Sequence, residues 1–213
     1  LYRVPNPLEY GVIITDEDQR ITQFLEKPSW GEVISDTANT GIYVLEPSIL
    51  DLIPDETMYD FSQQLFPRML ERRDPMFGYV APGYWCDVGN LTEYMRATSD
   101  VLTGEAHIEI PGQQVLPRVW VQPGADIARD AEVIGPVYLG QDARIRGAAR
   151  VEGPTVIGDY TIVDGHARVN RSVIWSNSYV AEGVELNGAL IGKQCNLRRR
   201  SVVMEGGVVG DNT

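Results

Sequence analysis

The stretch VYLGQDARIRGAARVEGPTVIGDYTIVDGHARV, Val137–Val169, has an aliphatic residue at every sixth position. An α-helix repeats about every 3.6 residues and a β-strand about every two, so neither explains this period. A chain that turns a corner after every six residues does explain it, because one aliphatic side chain of each short strand then points inward. The period therefore predicts a parallel β-helix whose core contains Leu139, Ile145, Val151, Ile157, Val163 and Val169.

The six-residue ladder extends well beyond this stretch, from Val121 to Val209, with two slips of one residue. A small or β-branched residue follows each of the first nine aliphatic residues by four places, and glycine and proline are frequent between them. The alternative is an irregular β-sandwich with accidental spacing, but two sets of positions agree independently. We therefore predict a β-helix over residues 105–213, whose open ends need a cap or a neighbouring domain.

Residues 1–104 show a different pattern, which predicts a mixed α/β region. Tyr10–Thr15 and Ile21–Glu26 are β-rich segments around a polar turn, and they predict a hairpin. Thr40–Leu45 and Met76–Ala81 predict two further strands, the first of them buried. Helices are predicted at Ser48–Ile53, in two pieces within Asp60–Arg73 that Pro67 separates, and from a capping box at Asn90 to a closing glycine at Gly104.

Composition limits the classes of partner. The 213 residues contain 18 Lys and Arg against 30 Asp and Glu, a formal net charge of -12. This charge repels nucleic acid and anionic lipid surfaces, so we expect neither nucleic acid nor a membrane as a partner. Cys86 and Cys195 show neither zinc-ligand spacing nor a disulfide framework, and no apolar run approaches the roughly 18 residues of a membrane span. We expect a cytoplasmic protein.

The first candidate site is the segment FLEKPS, Phe24–Ser29, at the end of the second predicted strand. Lys27 could donate charge-assisted hydrogen bonds to a phosphate, and the Glu26 carboxylate could accept hydrogen bonds from paired sugar hydroxyls. The alternative is a solvated strand end with a neighbouring charge pair. The residues by themselves leave both interpretations open.

Two further segments carry polar groups beside predicted strands. In GYWCDVGN, Gly83–Asn90, the carboxylate of Asp87 lies between glycines and suits Mg²⁺, which binds oxygen ligands together with substrate phosphates. The alternative is that Asp87 caps the helix that begins near Asn90. Asn39, Thr40 and Gly41 could bind a sugar or could simply cap the end of a strand. The residues by themselves do not separate these two roles.

Taken in order, the segments YGVIIT to YVLEP, DFSQQLFPRML, GYWCDVGN and the hexapeptide repeats resemble the nucleotidyltransferases that make nucleotide sugars. The similarity is to the mannose-1-phosphate guanylyltransferase type. It implies a Rossmann-like α/β nucleotidyltransferase domain, present in part as residues 1–104, followed by an all-β left-handed parallel β-helix over residues 105–213. The implied reaction transfers a nucleotidyl group from an NTP, here GTP, to a sugar 1-phosphate, here mannose 1-phosphate, and releases pyrophosphate.

The resemblance also assigns roles to the candidate residues. It implies that Lys27 contacts the phosphate of the sugar 1-phosphate, that Glu26 contacts the sugar hydroxyls and that Asn39–Gly41 line the sugar pocket. Asp87 is then one of two Mg²⁺ carboxylates. The family's glycine-rich GGxGTRL-like loop and its second metal-binding aspartate do not occur in these 213 residues. We therefore expect a fragment of a longer enzyme, inactive by itself, with those parts preceding Leu1.

Two other functions stay open at this point. Hexapeptide β-helices also occur in acyltransferases that use a histidine as general base, and His166 is the histidine within the repeats. Its position at a predicted corner, however, suits any polar residue. The other function is that of a non-catalytic regulatory or scaffolding subunit, which the missing nucleotide loop favours. We expect a homo-oligomer formed through the β-helix.

Overall fold

The computed structural model describes residues 1–26, 29 and 35–213, with Glu26 described for its backbone alone. The chain divides into two compact units, Leu1–Trp85 and Cys86–Thr213. The predicted division at residues 104 and 105 follows the sequence pattern rather than contacts, and it stays a prediction. None of the helices in the described ranges combines the length and the apolar character that crossing a membrane requires.

The first unit contains a small antiparallel sheet with strand order β1-β4-β2-β3. Its strand β2 lies between two neighbours, and Val12 and Ile13 of that strand are no more than 1% exposed. The antiparallel pairing of β2 with β3 confirms the predicted hairpin. The strands are β1 (Tyr2–Arg3), β2 (Gly11–Thr15), β3 (Ile21–Glu26) and β4 (Thr37–Ala38).

Short helices cover one side of this hairpin. Two helical pieces are present as predicted, since a π-helical turn ends at Leu65 and an α-helix begins at Phe66, but the helical backbone is continuous between them and Pro67 does not separate them. Pro67 lies in the first turn of that α-helix, where a missing backbone N–H costs least. Phe66 packs on Phe24 of β3 with ring centroids 5.2 Å apart. The helices are 3₁₀ turns at Pro7–Glu9 and Pro47–Leu52, the π-helical turn Phe61–Leu65 and α1 (Phe66–Glu71).

Two predicted strands of the first unit are wrong. Thr40–Leu45 forms no strand and is not buried: the side chains of Ile42 and Val44 are 75% and 100% exposed. Met76–Ala81 makes only a single bridge, between Phe77 and Arg20. Both segments have the β-branched and aromatic composition of strands, but a strand forms only where a neighbour supplies hydrogen-bonding partners. Within the described part of the unit, no strand pairs with Thr40–Leu45, and the backbone of Met76–Ala81 bonds to Gln19, Ile21 and Leu1 without forming a continuous ladder.

The second unit begins with a loop and helix α2 (Leu91–Thr103). The predicted boundaries of this helix are confirmed at both ends. Asn90 Oδ1 accepts a hydrogen bond from the backbone N–H of Glu93 at 2.9 Å, which is the usual N-cap interaction. Gly104 ends the helix in the left-handed conformation, with φ of 89°, which a glycine adopts without steric cost.

The rest of the second unit is the predicted left-handed parallel β-helix, with five coils of three short strands each and one further strand, β21, that begins a sixth coil. Equivalent strands of successive coils pair in parallel, so that three sheets run along the stack. Strand β5 pairs antiparallel with β6 and so covers one sheet edge at the first coil. The strands are β5 (Gln113–Leu116), β6 (Val119–Val121), β7 (Asp126–Ile127), β8 (Glu132–Ile134), β9 (Val137–Leu139), β10 (Arg144–Ile145), β11 (Arg150–Glu152), β12 (Thr155–Ile157), β13 (Ile162–Val163), β14 (Arg168–Asn170), β15 (Val173–Ile174), β16 (Tyr179–Val180), β17 (Glu185–Asn187), β18 (Leu190–Ile191), β19 (Asn196–Leu197), β20 (Val202–Val203) and β21 (Val208–Val209).

The aliphatic ladder forms the core of the β-helix, as predicted. The ten members from Leu139 to Ile191 are no more than 1% exposed, Leu197 is 7% exposed, and the remaining members at the two ends are partly buried. The two slips in the period also have a structural explanation. Where earlier coils turn through a Gly-Pro pair such as Gly153-Pro154, later coils turn through one residue with positive φ, Arg171 (44°) or Gly188 (59°). The coil is one residue shorter at each of these corners.

Candidate functional site

Two of the predicted sugar-binding segments meet at one end of the sheet in the first unit. Gly11, the first residue of β2, pairs with Glu26, the last residue of β3. On its other side, the carbonyl oxygen of Gly11 accepts a hydrogen bond from the backbone N–H of Asn39 at 2.8 Å. Because neighbouring strands lie about 4.8 Å apart, the backbones of Glu26 and Asn39 are about 10 Å apart with Gly11 between them.

Most of the hydrogen-bonding capacity of the Asn39 side chain is used by residues of the first unit. Its Oδ1 atom accepts hydrogen bonds from the Gly41 backbone N–H at 3.2 Å and from the Tyr43 hydroxyl at 3.0 Å. Its Nδ2 atom donates to the Ser62 hydroxyl at 3.2 Å. An asparagine amide has two N–H donors and one oxygen, so one N–H has no partner among the described residues and is available to a ligand. Asn39 can therefore shape its loop and also donate a hydrogen bond to a sugar oxygen.

The remaining residues of the predicted sugar and phosphate site are described in part. Thr40 is half-buried and Gly41 has φ of 74°, a left-handed conformation that suits the tight turn closed by Asn39. Lys27 and the side chain of Glu26 lie outside the described residues. Their roles stay predictions.

An aromatic cluster that sequence reasoning missed holds the start of the GYWCDVGN segment in the first unit. The Trp85 ring lies 5.6 Å from the ring of Tyr2 and 5.7 Å from that of Tyr10, measured between centroids. The Tyr2 hydroxyl donates to the Gly83 carbonyl at 2.9 Å. Tyr10 directly precedes Gly11, so this cluster adjoins the end of the sheet where Glu26 and Asn39 flank that glycine. Three aromatic residues distant in sequence give no periodic signal by which to find them.

Asp87 lies in the second unit and does not cap helix α2. The cap is Asn90, so the capping alternative for Asp87 is wrong. Asp87 is exposed, and among the described residues no hydrogen bond or ion pair to its carboxylate is found. Gly89 leaves space beside it, since a Cβ built on that glycine would lie 3.7 Å from Asp87 Oδ2.

The loop that carries Asp87 is attached to helix α2 on both sides. After Asp87, Asn90 caps the helix. Before it, the Cys86 sulfur lies 3.2 Å from Arg96 Nη2 and 3.6 Å from Glu93 Oε2. Arg96 Nε donates to Glu93 Oε2 at 2.9 Å, and this guanidinium lowers the pKa of Glu93, so that the pair stays charged. Asp87 is thus placed by the first two turns of helix α2.

The chemistry of Asp87 fits one ligand of a magnesium site. Mg²⁺ prefers oxygen ligands and commonly takes one or two protein carboxylates together with substrate phosphates and water. A carboxylate that is exposed and not engaged by a described cation meets that requirement. The described residues contain no group of three or more His, Cys, Asp or Glu side chains placed to hold a metal ion. This unit would therefore supply Asp87 as one ligand rather than a complete metal site.

His166, the residue of the acyltransferase alternative, is exposed at a corner of the β-helix with φ of 59°. Within the described part of the chain, no hydrogen bond or ion pair orients its imidazole. A histidine that acts as general base usually has a partner that holds its ring. The surroundings of His166 therefore add no support to that alternative.

Comparison with known proteins shows which family the chain resembles. Residues 1–104 match the family model "Nucleotidyl transferase", and residues 133–213 match the family model "GMPPB C-terminal domain". A UTP–glucose-1-phosphate uridylyltransferase of Synechocystis sp. is 35% identical over 199 residues, covering 90% of this chain and 51% of that protein. A mannose-1-phosphate guanylyltransferase of Mycobacterium tuberculosis is 32% identical over 150 residues, covering 68% of this chain and 40% of that protein.

Two further similarities were found. A glucose-1-phosphate adenylyltransferase of Lachnospira eligens is 30% identical over 150 residues, covering 67% of this chain and 33% of that protein. Among solved structures, the acetyltransferase domain of PglB from Neisseria gonorrhoeae FA1090 aligns with a TM-score of 0.47 and 15% identity, covering 55% of this chain and 56% of that one. That structural similarity is too low to support an inference about function.

The chain thus belongs to the sugar-1-phosphate nucleotidyltransferase family, which has guanylyl, uridylyl and adenylyl members. Its C-terminal residues 133–213 belong more narrowly to the GMPPB C-terminal domains. The chain spans about half the length of the first of these relatives and less of the others.

Proposed function

We propose that this chain is part of an enzyme that transfers a nucleotidyl group from GTP to mannose 1-phosphate and releases pyrophosphate. The observation that carries the proposal is the order of two domains on one chain, a nucleotidyl transferase domain followed by a GMPPB C-terminal domain. The guanylyltransferase of M. tuberculosis supports the same substrates. The uridylyltransferase of Synechocystis supports a second candidate pair, UTP and glucose 1-phosphate.

In this proposal the first unit binds the sugar 1-phosphate. Glu26 and Asn39 are on either side of Gly11, about 10 Å apart, which is a suitable span for hydrogen bonds to opposite sides of one hexose. Asn39 donates its remaining amide N–H to a sugar oxygen, and the carboxylate of Glu26 accepts from sugar hydroxyls. Lys27 follows directly on Glu26 and pairs with the phosphate through charge-assisted hydrogen bonds.

Asp87 is the residue proposed to hold Mg²⁺. When bound, the ion neutralises negative charge on the phosphates and orients them. The sugar phosphate oxygen attacks the α-phosphorus in line with the leaving pyrophosphate, so the protein contributes mainly positioning and electrostatic stabilisation. No covalent intermediate with a side chain is needed. The residues of this chain bind the sugar phosphate and contribute one metal ligand.

A substrate panel tests the proposal. Pyrophosphate release would be measured for the protein that contains these residues, with Mg²⁺ and each pairing of GTP, UTP or ATP with mannose 1-phosphate or glucose 1-phosphate. We expect the highest kcat/KM for GTP with mannose 1-phosphate. A preference for UTP with glucose 1-phosphate would transfer the assignment to the second candidate pair. Absence of pyrophosphate release with all six pairings would overturn the nucleotidyltransferase proposal.

The 213 residues by themselves are proposed to bind a sugar 1-phosphate without turning it over. They contain no glycine-rich GGxGTRL-like loop for the triphosphate. ³¹P NMR of mannose 1-phosphate should show line broadening on addition of the chain and no formation of GDP-mannose with GTP and Mg²⁺. Product formation by these residues alone would contradict this part of the proposal.

Self-association through the β-helix is a further part of the proposal. The last coils expose three apolar side chains, Val202 at 56%, Met204 at 63% and Val208 at 51%. An exposed apolar strand edge favours pairing with another chain. Light scattering of the wild type should give a mass above that of one chain, and Met204→Glu should lower it. A wild-type mass equal to one chain would contradict self-association.

A further inference from the structure

A tryptophan occupies a corner of the β-helix at which four other coils carry glycine. The strand registers make six positions equivalent along the stack: Gln122 in the first coil, then Gly140, Gly158, Trp175, Gly192 and Gly210. Each of them directly follows an aliphatic residue of the ladder. The largest side chain therefore stands in one coil where its neighbours have no side chain at all.

Close packing against the following coil explains glycine at two of these corners, and this restriction does not apply to Trp175. A Cβ on Gly140 or Gly192 would collide with the aspartate of the following coil, which accepts a hydrogen bond from the next backbone N–H. In the coil that follows Trp175, the equivalent residue is Lys193. Its Nζ atom lies 5.7 Å from the centroid of the indole ring, a cation–π distance. At this corner, a lysine that contacts the indole thus replaces the aspartate that lies against Gly140 or Gly192.

The indole is used to hold helix α2. Trp175 Nε1 donates a hydrogen bond to the Tyr94 hydroxyl at 3.0 Å, and the two rings meet edge to face with centroids 6.1 Å apart. At the far end of the helix, Arg118 Nη2 donates to the Leu102 carbonyl at 3.3 Å. The β-helix therefore fixes helix α2 both near its first turn and in its last turn.

Helix α2 in turn fixes the loop with Asp87. Asn90 caps the helix after Asp87, and Arg96 and Glu93 hold Cys86 before it. Tyr94 lies on the same two turns as these residues. A displacement of these two turns of the helix would therefore move the Asp87 carboxylate as well.

We propose that Trp175 and Tyr94 are positioning residues for Asp87, so that the fourth coil of the β-helix sets the place of a metal-binding carboxylate. The inference rests on the proposed function for the metal role of Asp87, but the mechanical link stands on contacts within one compact unit. It gives the β-helix a role in the nucleotidyl transfer besides assembly. Residues that orient a metal ligand commonly change metal affinity or activity about tenfold or more when they are altered.

Hydrogen–deuterium exchange of the 213-residue chain tests the link without any assay of activity. The variants are Trp175→Gly, which introduces the residue of the equivalent corners, and Tyr94→Phe, which keeps the ring and removes the hydroxyl. We expect faster exchange over residues 86–96 in both variants and unchanged exchange in the strands of the β-helix. Trp120→Phe, in the first coil, is the control. It should change neither the exchange over residues 86–96 nor the exchange in the strands of the β-helix. Unchanged exchange over residues 86–96 in both variants would overturn the proposal.

The Mg²⁺ dependence of the rate of the active protein tests whether Trp175 and Tyr94 position Asp87 for metal binding. Both variants should raise the Mg²⁺ concentration for half-maximal rate about tenfold, with the KM for sugar 1-phosphate little changed. Faster exchange with unaltered Mg²⁺ dependence would reduce Trp175 to an anchor of the helix and overturn the positioning role. If the wild type catalyses no nucleotidyl transfer, the proposed function fails together with the metal role, whereas the exchange result still reports the mechanical link.

Discussion

A Cβ atom built on Gly158 would lie 2.7 Å from the backbone nitrogen of Ser176 in the next coil of the β-helix. Carbon and nitrogen atoms that are not bonded do not approach so closely, and the obstacle is backbone rather than a flexible side chain. In this coil, the backbone of the following coil therefore leaves room only for glycine at Gly158. The contact shows how the repeat restricts residue choice at positions that bind nothing.

The first prediction follows from this contact. Gly158→Ala should lower the free energy of unfolding by about 1 to 3 kcal/mol, the usual cost of overpacking. Gly210 occupies the equivalent corner of the last coil, and no atom lies within 4 Å of the place that an alanine methyl group would take there. Gly210→Ala is therefore the matched control and should be nearly neutral. Urea unfolding followed by circular dichroism measures both, and equal effects would contradict the packing explanation.

Burial of charge in the core should unfold the β-helix. Ile157 is fully buried between Leu139 and Ile174 in the coils on either side. Ile157→Asp places a carboxylate there without a partner and should cost more than about 4 kcal/mol. Val202→Asp, at a position 56% exposed on the same β-helix, should retain the native circular dichroism spectrum. A native spectrum and unchanged thermal stability for Ile157→Asp would refute the register.

The pair of Tyr179 and Asp164 should make stability depend on pH. The Tyr179 hydroxyl donates to the Asp164 carboxylate, and this bond, helped by the Gly165 backbone N–H and by Arg146, lowers the pKa of Asp164. A carboxyl group whose pKa is lower in the folded state stabilises the fold above its unfolded pKa. That contribution is lost as the pH falls through the folded pKa.

Tyr179→Phe tests the pH dependence. Without the hydroxyl, the pKa of Asp164 should rise toward its ordinary value, and the variant should lose less stability than the wild type between neutral and acidic pH. NMR titration of the Asp164 carboxyl carbon measures its pKa. Unfolding at several pH values measures the loss of stability. Tyr160→Phe, at a half-exposed tyrosine of the same β-helix, is the control. An unmoved Asp164 titration in Tyr179→Phe would show that the hydroxyl is not the cause.

Lys27 should affect the sugar phosphate and not the nucleotide. Arg168, an exposed cation of the β-helix that pairs with Glu185, provides a control for loss of positive charge. In the active protein, Lys27→Ala should raise the KM for sugar 1-phosphate about thirtyfold, since a lost charged hydrogen bond of about 2 kcal/mol has that effect. The KM for the nucleotide should stay within about twofold, and Arg168→Ala should change neither KM. Equal rises of both KM values in Lys27→Ala would mean that Lys27 does not contact the sugar phosphate.

Asp87 should be needed for turnover but not for folding. Asp87→Asn keeps the shape of the side chain and removes its charge, so kcat should fall at least about 100-fold while the unfolding curve stays unchanged. Asp51→Asn, at another exposed aspartate, is the control for loss of surface charge. Full turnover of Asp87→Asn at saturating Mg²⁺ would remove Asp87 from the metal site.

The β-helix was predictable because its signal is local and repeated. Each coil repeats the same inward positions, so the ladder from Val121 to Val209 identifies the core without knowledge of any distant contact. The ends of helix α2 were predictable for a similar reason, because Asn90 and Gly104 act on the adjacent turn of the chain. Where structure depends on neighbours close in sequence, or on an exact repeat, residue order is sufficient.

The strands of the first unit and the arrangement of the candidate site required the tertiary structure. Thr40–Leu45 has the composition of a buried strand, but strand pairing is non-local and composition does not show whether a neighbour is present. The position of Gly11 between Glu26 and Asn39 depends on the order of three strands, and the Trp175–Tyr94 contact joins residues 81 positions apart. The amino-acid sequence by itself thus determined the β-helix and pointed to the candidate residues through family resemblance. Only the three-dimensional packing decided which of them lie together, because hydrogen bonds between distant segments leave no periodic trace in the chain.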